Sequence, residues 1–272
     1  MSQEQLTFII ILFGAVVVFG AAMITTAGVI RSRRLRAQRS GPGGPGKPVP
    51  SDRWQRFGPA LAAVYARVEW HETRGARRVL AVEQTYFGYG CAMSLPMLRR
   101  SLAREWRVRG PEQARERARD TADLAASDAA LLAGTRGETP EALIERLLAV
   151  GAPRDVAEFM ASRVPIDNEL PGHDADMLPR LAFDLVRFAN LVRWCGSAGF
   201  LTDEEVREAS DVLGAAAVTA FGSWNELGEH YMLGLQGFTR RGNKPFARAV
   251  EWLRADPESP WRSLPWPGQP QH

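Results

Sequence analysis

Hydrophobic positions are arranged differently in the first 30 residues and in the rest of the chain. From Gln5 to Ile30 no charged residue occurs, and Ile, Val, Leu, Phe, Ala and Gly dominate. At about 1.5 Å per residue, a helix of this length reaches roughly 39 Å, beyond the ~30 Å hydrocarbon core of a bilayer, so residues 1–30 read as a short tail and a transmembrane helix. A cleaved signal peptide would need a positive segment ahead of a shorter apolar core. Here the preceding residues hold Glu4 and no Lys or Arg, while Arg31, Arg33, Arg34, Arg36 and Arg39 follow the run. That asymmetry predicts a single-pass protein with its N-terminus out and its C-terminal domain in the cytoplasm. The lipid bilayer is thus an expected partner of residues 5–30, and the five arginines can meet anionic lipid headgroups.

Residues 31–53 combine that basic cluster with the spacer SGPGGPGKPVP (Ser40 to Pro50), too rich in Gly and Pro to hold a helix. Beyond it nearly every segment has helical period, and no strand-like alternation lasts more than a few residues. The expectation for residues 54–266 is a globular all-α domain, with 267–272 as a tail. Trp54 to Trp70, Leu95 to Val108 and Glu112 to Leu132 read as helices, whereas Gly88 and Gly90 weaken Val79 to Ala92. Thr139-Pro140-Glu141 is a helix start with Thr as N-cap, and Pro153 opens a short helix ending before Pro165. Pro165 to Asp176 is the longest polar loop. In the next helix Leu181, Leu185, Phe188, Leu191, Val192 and Cys195 share one face, and Asp184 falls inside that apolar arc with Arg180 and Arg187 beside it. Thr202 to Glu205 and Ser223 to Glu226 read as capping boxes. Val206, Ala209, Leu213, Ala216, Ala217 and Ala220 form a narrow small-residue face after the first of them. Trp224, Leu227, Tyr231, Gly234 and Leu235 form the stripe after the second. A helix around Phe246 to Leu253 follows, and SPWRSLPWP reads as an extended strap.

Charge sharpens the division. Residues 1–50 carry a net +5; the whole chain carries +3, leaving −2 for residues 51–272. The basic excess is therefore confined to the N-terminal part, and no basic folded face is implied of the kind nucleic-acid binding needs. A hydrophobic content of 45% excludes a disordered chain. Cys91 and Cys195 have no metal or redox spacing and read as structural thiols of a reducing compartment.

The runs LAFDLVRFANLVRWCGSAGFLTDEEV, FGSWNELGEHYMLGLQGF and SPWRSLPW carry a resemblance. They place an aromatic-Asp-x-x-Arg helix ending in Arg-Trp, then Gly-aromatic, an acidic helix start, a Ser-Trp pair, a Tyr and Gly one helix later, and a final Ser-Pro-Trp. In this the chain resembles the bacterial family catalogued as domain of unknown function 1266. The likeness is strongest over Leu181 to Trp266 and looser around Trp106. It departs from the pattern at Cys195-Gly196-Ser197, where bulkier residues are usual. The resemblance implies a helical cytoplasmic domain and offers Asp184, Arg187, Arg193, Trp194, Ser223, Trp224, Tyr231, Trp261 and Trp266 as candidate binding positions. It brings no activity with it.

Read as chemistry, most of these residues have plainer roles. Ser223 lacks the G-x-S-x-G context of a nucleophile and sits where a helix cap belongs. Glu226 and His230 share a helix face, and His173-Asp174-Ala175-Asp176 offers loop carboxylates, but neither completes a metal set. Dinucleotide and phosphate loops and zinc spacings are absent, so no cofactor is expected. Asp184 with Arg187 is the strongest candidate: either a buried ion pair orienting its helix, or a ligand or catalytic site. The expected function is a membrane-tethered interaction module with a protein partner, the alternative a tethered enzyme using Asp184 and Arg187.

Overall fold

The computed structural model describes residues 52–72, 86–87, 90–91, 93–165, 177–238 and 243–269. The expected span, the basic cluster, the Gly/Pro spacer, most of Val79 to Ala92 and nearly all of the loop from Pro165 to Asp176 lie outside them. All described residues belong to one unit, 41–272. Among them every regular element is helical, and no helix is long and apolar enough to cross a membrane.

Trp54 to Trp70, expected as one helix, forms two. α1 (Arg53–Leu61) is capped by Asp52, whose carboxylate accepts from the Gln55 N–H at 2.9 Å, and it contains Pro59. The proline removes one i→i−4 bond and crowds the preceding turn, and the chain breaks at Ala62 before α2 (Ala63–Glu72). Leu95 to Val108 is divided as well. α3 (Leu95–Ser101) widens into a π turn over Leu102–Trp106, which ends on Arg107 in the left-handed region, φ 58°. Single π turns are frequent at functional positions; this one carries Glu105 and Trp106.

α4 (Pro111–Thr135) is an alanine-rich rod in which Ala114, Ala118, Ala122, Ala125, Ala129 and Ala133 are buried. α5 (Pro140–Ala149) starts at the expected Thr139 cap, and α6 (Arg154–Ala161) follows Pro153. α7 (Met177–Ser197) buries Leu181, Leu185, Phe188, Leu191, Val192 and Cys195, as its pattern requires. Gly199 then takes a φ of 72°, which lets the Phe200 N–H return to the Cys195 carbonyl at 2.9 Å.

α8 (Asp203–Ala220) begins with the full capping box of Thr202 and Glu205. Its apolar surface is wider than a stripe: from Leu213 to Ala220 every residue is buried, because α1, α4 and α7 all pack against it. α9 (Trp224–Phe238) lies against α7, and Gly234 makes that approach possible; a Cβ there would stand 2.1 Å from the Pro179 carbonyl oxygen. Only half of its expected capping box forms. The Glu226 N–H donates to the Ser223 hydroxyl, but the Glu226 carboxylate accepts from Gly222, one residue early. α10 (Lys244–Ala255) packs on α2. The expected C-terminal strap contains a helical turn, α11 (Pro260–Ser263): Ser259 caps it and Pro260 stands at its first position, where a missing N–H costs nothing.

Candidate functional site

The candidate positions separate into three groups. The first is core. Trp224 stacks on Trp261 at 5.3 Å between centroids, Trp266 meets Trp224 edge-on at 4.9 Å, and Phe57 of α1 closes the cluster at 4.9 Å from both Trp224 and Trp266. Their polar handles fasten the C-terminal segment. The Trp224 indole donates to the Leu264 carbonyl at 2.8 Å, that of Trp261 to Ala60 at 3.3 Å, and Arg53 donates to the Pro265 and Trp266 carbonyls at 2.9 Å. Ser223 is a cap. These residues join the two ends of the domain and offer no open surface.

The second group is a buried polar clamp around Arg193, which is 2% exposed. Its guanidinium donates to Glu69 of α2, to the Gly90 carbonyl at 2.6 Å and to Asn190 at 2.7 Å. The same Glu69 oxygen that faces Arg193 accepts from the Trp194 indole at 2.7 Å, and the other accepts from the Cys91 thiol at 3.5 Å. The clamp holds α2 and the Gly90–Cys91 backbone onto α7. Glu69 had no sequence signal, since Arg193 and Trp194, the partners that fix its carboxylate on α7, stand more than 100 positions away. Burial, then Glu69, pushes the Cys91 thiol up, and burial pushes that of Cys195 up to about 12. Neither is a reactive thiolate.

The third group is open. Asp184 and Arg187 stand 3.7 Å apart, with side chains 20% and 25% exposed, at the edge of a cleft of about 440 Å³ between α7 and the end of α9. At that distance the contact is an ion pair without a hydrogen bond. Arg180 turns to Asp128 of α4 instead, at 3.3 Å. The Arg187 guanidinium carbon lies 4.9 Å from the Trp106 ring centre, 5.0 Å from Phe183 and 4.9 Å from Phe238. Three elements build this aromatic setting: the π turn, α7 and α9. On its other side Arg187 borders a second depression of about 390 Å³, lined also by Glu105, Trp106 and Leu124.

Electrostatically, Arg187 is the centre of the cluster. Burial raises the Asp184 carboxyl, with Arg187 and Arg180 pulling it down and Asp128 pushing it up. Burial likewise raises Glu105 and the hydroxyls of Tyr65 and Tyr231, and in each case Arg187 opposes it. Tyr231 is fully buried behind the cleft, stacked on Phe183 at 6.1 Å. Such a cluster can hold an anion, or, through burial, favour the protonated form of a carboxyl within it. Phe183, one turn before Arg187, was legible as its neighbour. Trp106 and Phe238 were not, because only the packing of three helices brings them there.

Among the described residues no three His, Cys, Asp or Glu side chains gather as metal ligands. Glu226 is taken by Gly222, and His230 lies against the Phe221 ring at 5.7 Å. The loop with His173, Asp174 and Asp176 is outside the described residues. No curated protein and no solved structure matches the chain. Residues 101–266, well over half of it, match the model of the family described as Protein of unknown function (DUF1266). The match takes in the whole Arg187 cleft and leaves Glu69 outside, and on that extent the chain belongs to this family.

Proposed function

We propose that this is a single-pass membrane protein whose helical domain faces the cytoplasm and acts by non-covalent recognition at the Asp184–Arg187 cleft. The tether is supported by the uncharged run from Gln5 to Ile30 and the arginines after it, which would also meet anionic headgroups. The observation that carries the recognition site is Arg187 itself: a guanidinium set among three rings, ion-paired only at 3.7 Å, and open to a cleft. A residue kept only for stability would be sealed and hydrogen-bonded, as Arg193 is.

The test is affinity capture with the full-length protein in lipid nanodiscs, with proteins and small molecules both identified by mass spectrometry. A species held by the wild type and lost from Arg187→Met supports the reading; identical captures overturn it. A second reading, a tethered enzyme using Asp184 and Arg187, is favoured by the two burial-raised carboxyls, Asp184 and Glu105, on either side of one guanidinium. Conversion of a captured small molecule by the wild type but not by Asp184→Asn would select it.

A further inference from the structure

The walls of the Arg187 cleft specify more than an undefined partner. Leu233 and Phe238 line it, yet are 53% and 65% exposed. A third exposed large apolar side chain, Leu124, lines the adjoining depression on the other side of Arg187. Apolar exposure concentrated around one polar group marks a ligand surface. The charged residues on the cleft wall are Arg180, Arg187 and Asp184. Arg180 is engaged by Asp128, so Arg187 is the cation available to an occupant.

The geometry of Arg187 narrows the class. Rings at 4.9–5.0 Å hold the guanidinium and partly desolvate it. Among the described residues it donates no hydrogen bond, since its only ion pair is 3.7 Å long. A fixed planar fork of N–H donors matches a carboxylate in two parallel bonds. A doubly charged phosphate suits the place less well, because Asp184 stands beside the same guanidinium. The volume, about 440 Å³, is at the small end of ligand pockets.

We propose that the cleft binds a small monoanionic carboxylate with an apolar, preferably aromatic, body: the carboxylate pairs with Arg187 and the body lies on Phe183, Leu233 and Phe238. This rests on the reading of the cleft as a recognition site and names its ligand class. The test uses the full-length protein in zwitterionic-lipid nanodiscs, with empty nanodiscs as blank and ligand-observed NMR titration of 4-phenylbutyrate, octanoate, 4-phenylbutan-1-ol, 4-phenylbutylamine and octyl phosphate. We expect saturable binding of the two carboxylates, tighter for 4-phenylbutyrate, with the alcohol, amine and phosphate at least tenfold weaker. Arg187→Met should weaken 4-phenylbutyrate at least tenfold. Phe238→Ala, at an exposed position whose loss spares the core, should weaken it several-fold while the thermal melt stays put. Alcohol, amine or phosphate binding as tightly as the acid overturns the class; if that binding is also lost in Phe238→Ala, the cleft survives as a recognition site. Absence of saturable carboxylate binding, or 4-phenylbutyrate affinity unchanged in both variants, overturns the proposal. The cleft reading itself then falls only if the capture experiment is also insensitive to Arg187→Met.

Discussion

Of the three α7 arginines that pair with carboxylates, Arg193 and Arg187 should respond oppositely to loss of the acid. Glu69→Ala removes the acceptor of the Arg193 guanidinium and the Trp194 indole, and the partner of the Cys91 thiol. Arg193 keeps Asn190 and the Gly90 carbonyl but loses its counter-charge in a position 2% exposed. Breaking a buried pair by one partner costs about 3–5 kcal/mol. At about 2–4 °C per kcal/mol for a domain of this size, the melting temperature should fall by roughly 6–20 °C. Replacing both partners, Glu69→Leu with Arg193→Met, should recover part of that loss, because no charge is left buried. Asp184→Asn, in the half-open pair, should cost less than about 1 kcal/mol. It should even hold or raise stability at neutral pH, since burial disfavours the ionised carboxylate there. Differential scanning calorimetry of the four proteins at pH 7.5 decides this. Should Glu69→Ala melt within two degrees of wild type, or Asp184→Asn fall as far as Glu69→Ala, the division into a structural clamp and an open site is wrong.

Three further outcomes are expected. Asp211 of α8 is 4% exposed, and burial lifts its carboxyl to about 6 against the pull of Arg207 at 3.6 Å and the Trp54 indole. The folded state therefore holds the proton longer than the unfolded one, and this residue's contribution to stability falls as pH rises from about 4 to 6. The stability gained by Asp211→Asn should grow over that window and level off above it, at up to about 3 kcal/mol, in urea titrations at several pH values; a pH-independent difference would contradict the assignment. Gly58→Ala would set a Cβ 2.3 Å from the Ser210 carbonyl oxygen where α1 crosses α8, so chemical denaturation should show a loss of about 3 kcal/mol or more; wild-type stability would mean the helices do not approach so closely. A reporter active only in the cytoplasm, fused after His272, should be active; activity from one that works only after export would reverse the proposed topology.

How much could be read before folding varies along the chain for physical reasons. Helix starts at Thr139, Thr202 and Ser223 were legible because a cap is a bond between neighbours a few residues apart. The buried face of α7 was legible because it repeats with the helix itself. The family pattern likewise marked Asp184, Arg187 and the tryptophans, without saying which of them were core. Tertiary structure decided the rest. It buried the end of α8 on every side by packing α1, α4 and α7, with α5 and α6, around that helix, and it joined Trp224, Trp261 and Trp266 to Phe57 from the other end of the domain. It gave Arg193 a carboxylate from α2 and Arg187 only a loose one, although both arginines lie on the same helix. Local spacing determines which side chains share a face; whether that face meets a carboxylate, an aromatic ring or a cleft depends on residues far away in the chain. The π turn that carries Trp106 toward Arg187 is of the same kind, since nothing in its sequence separates it from an ordinary helix.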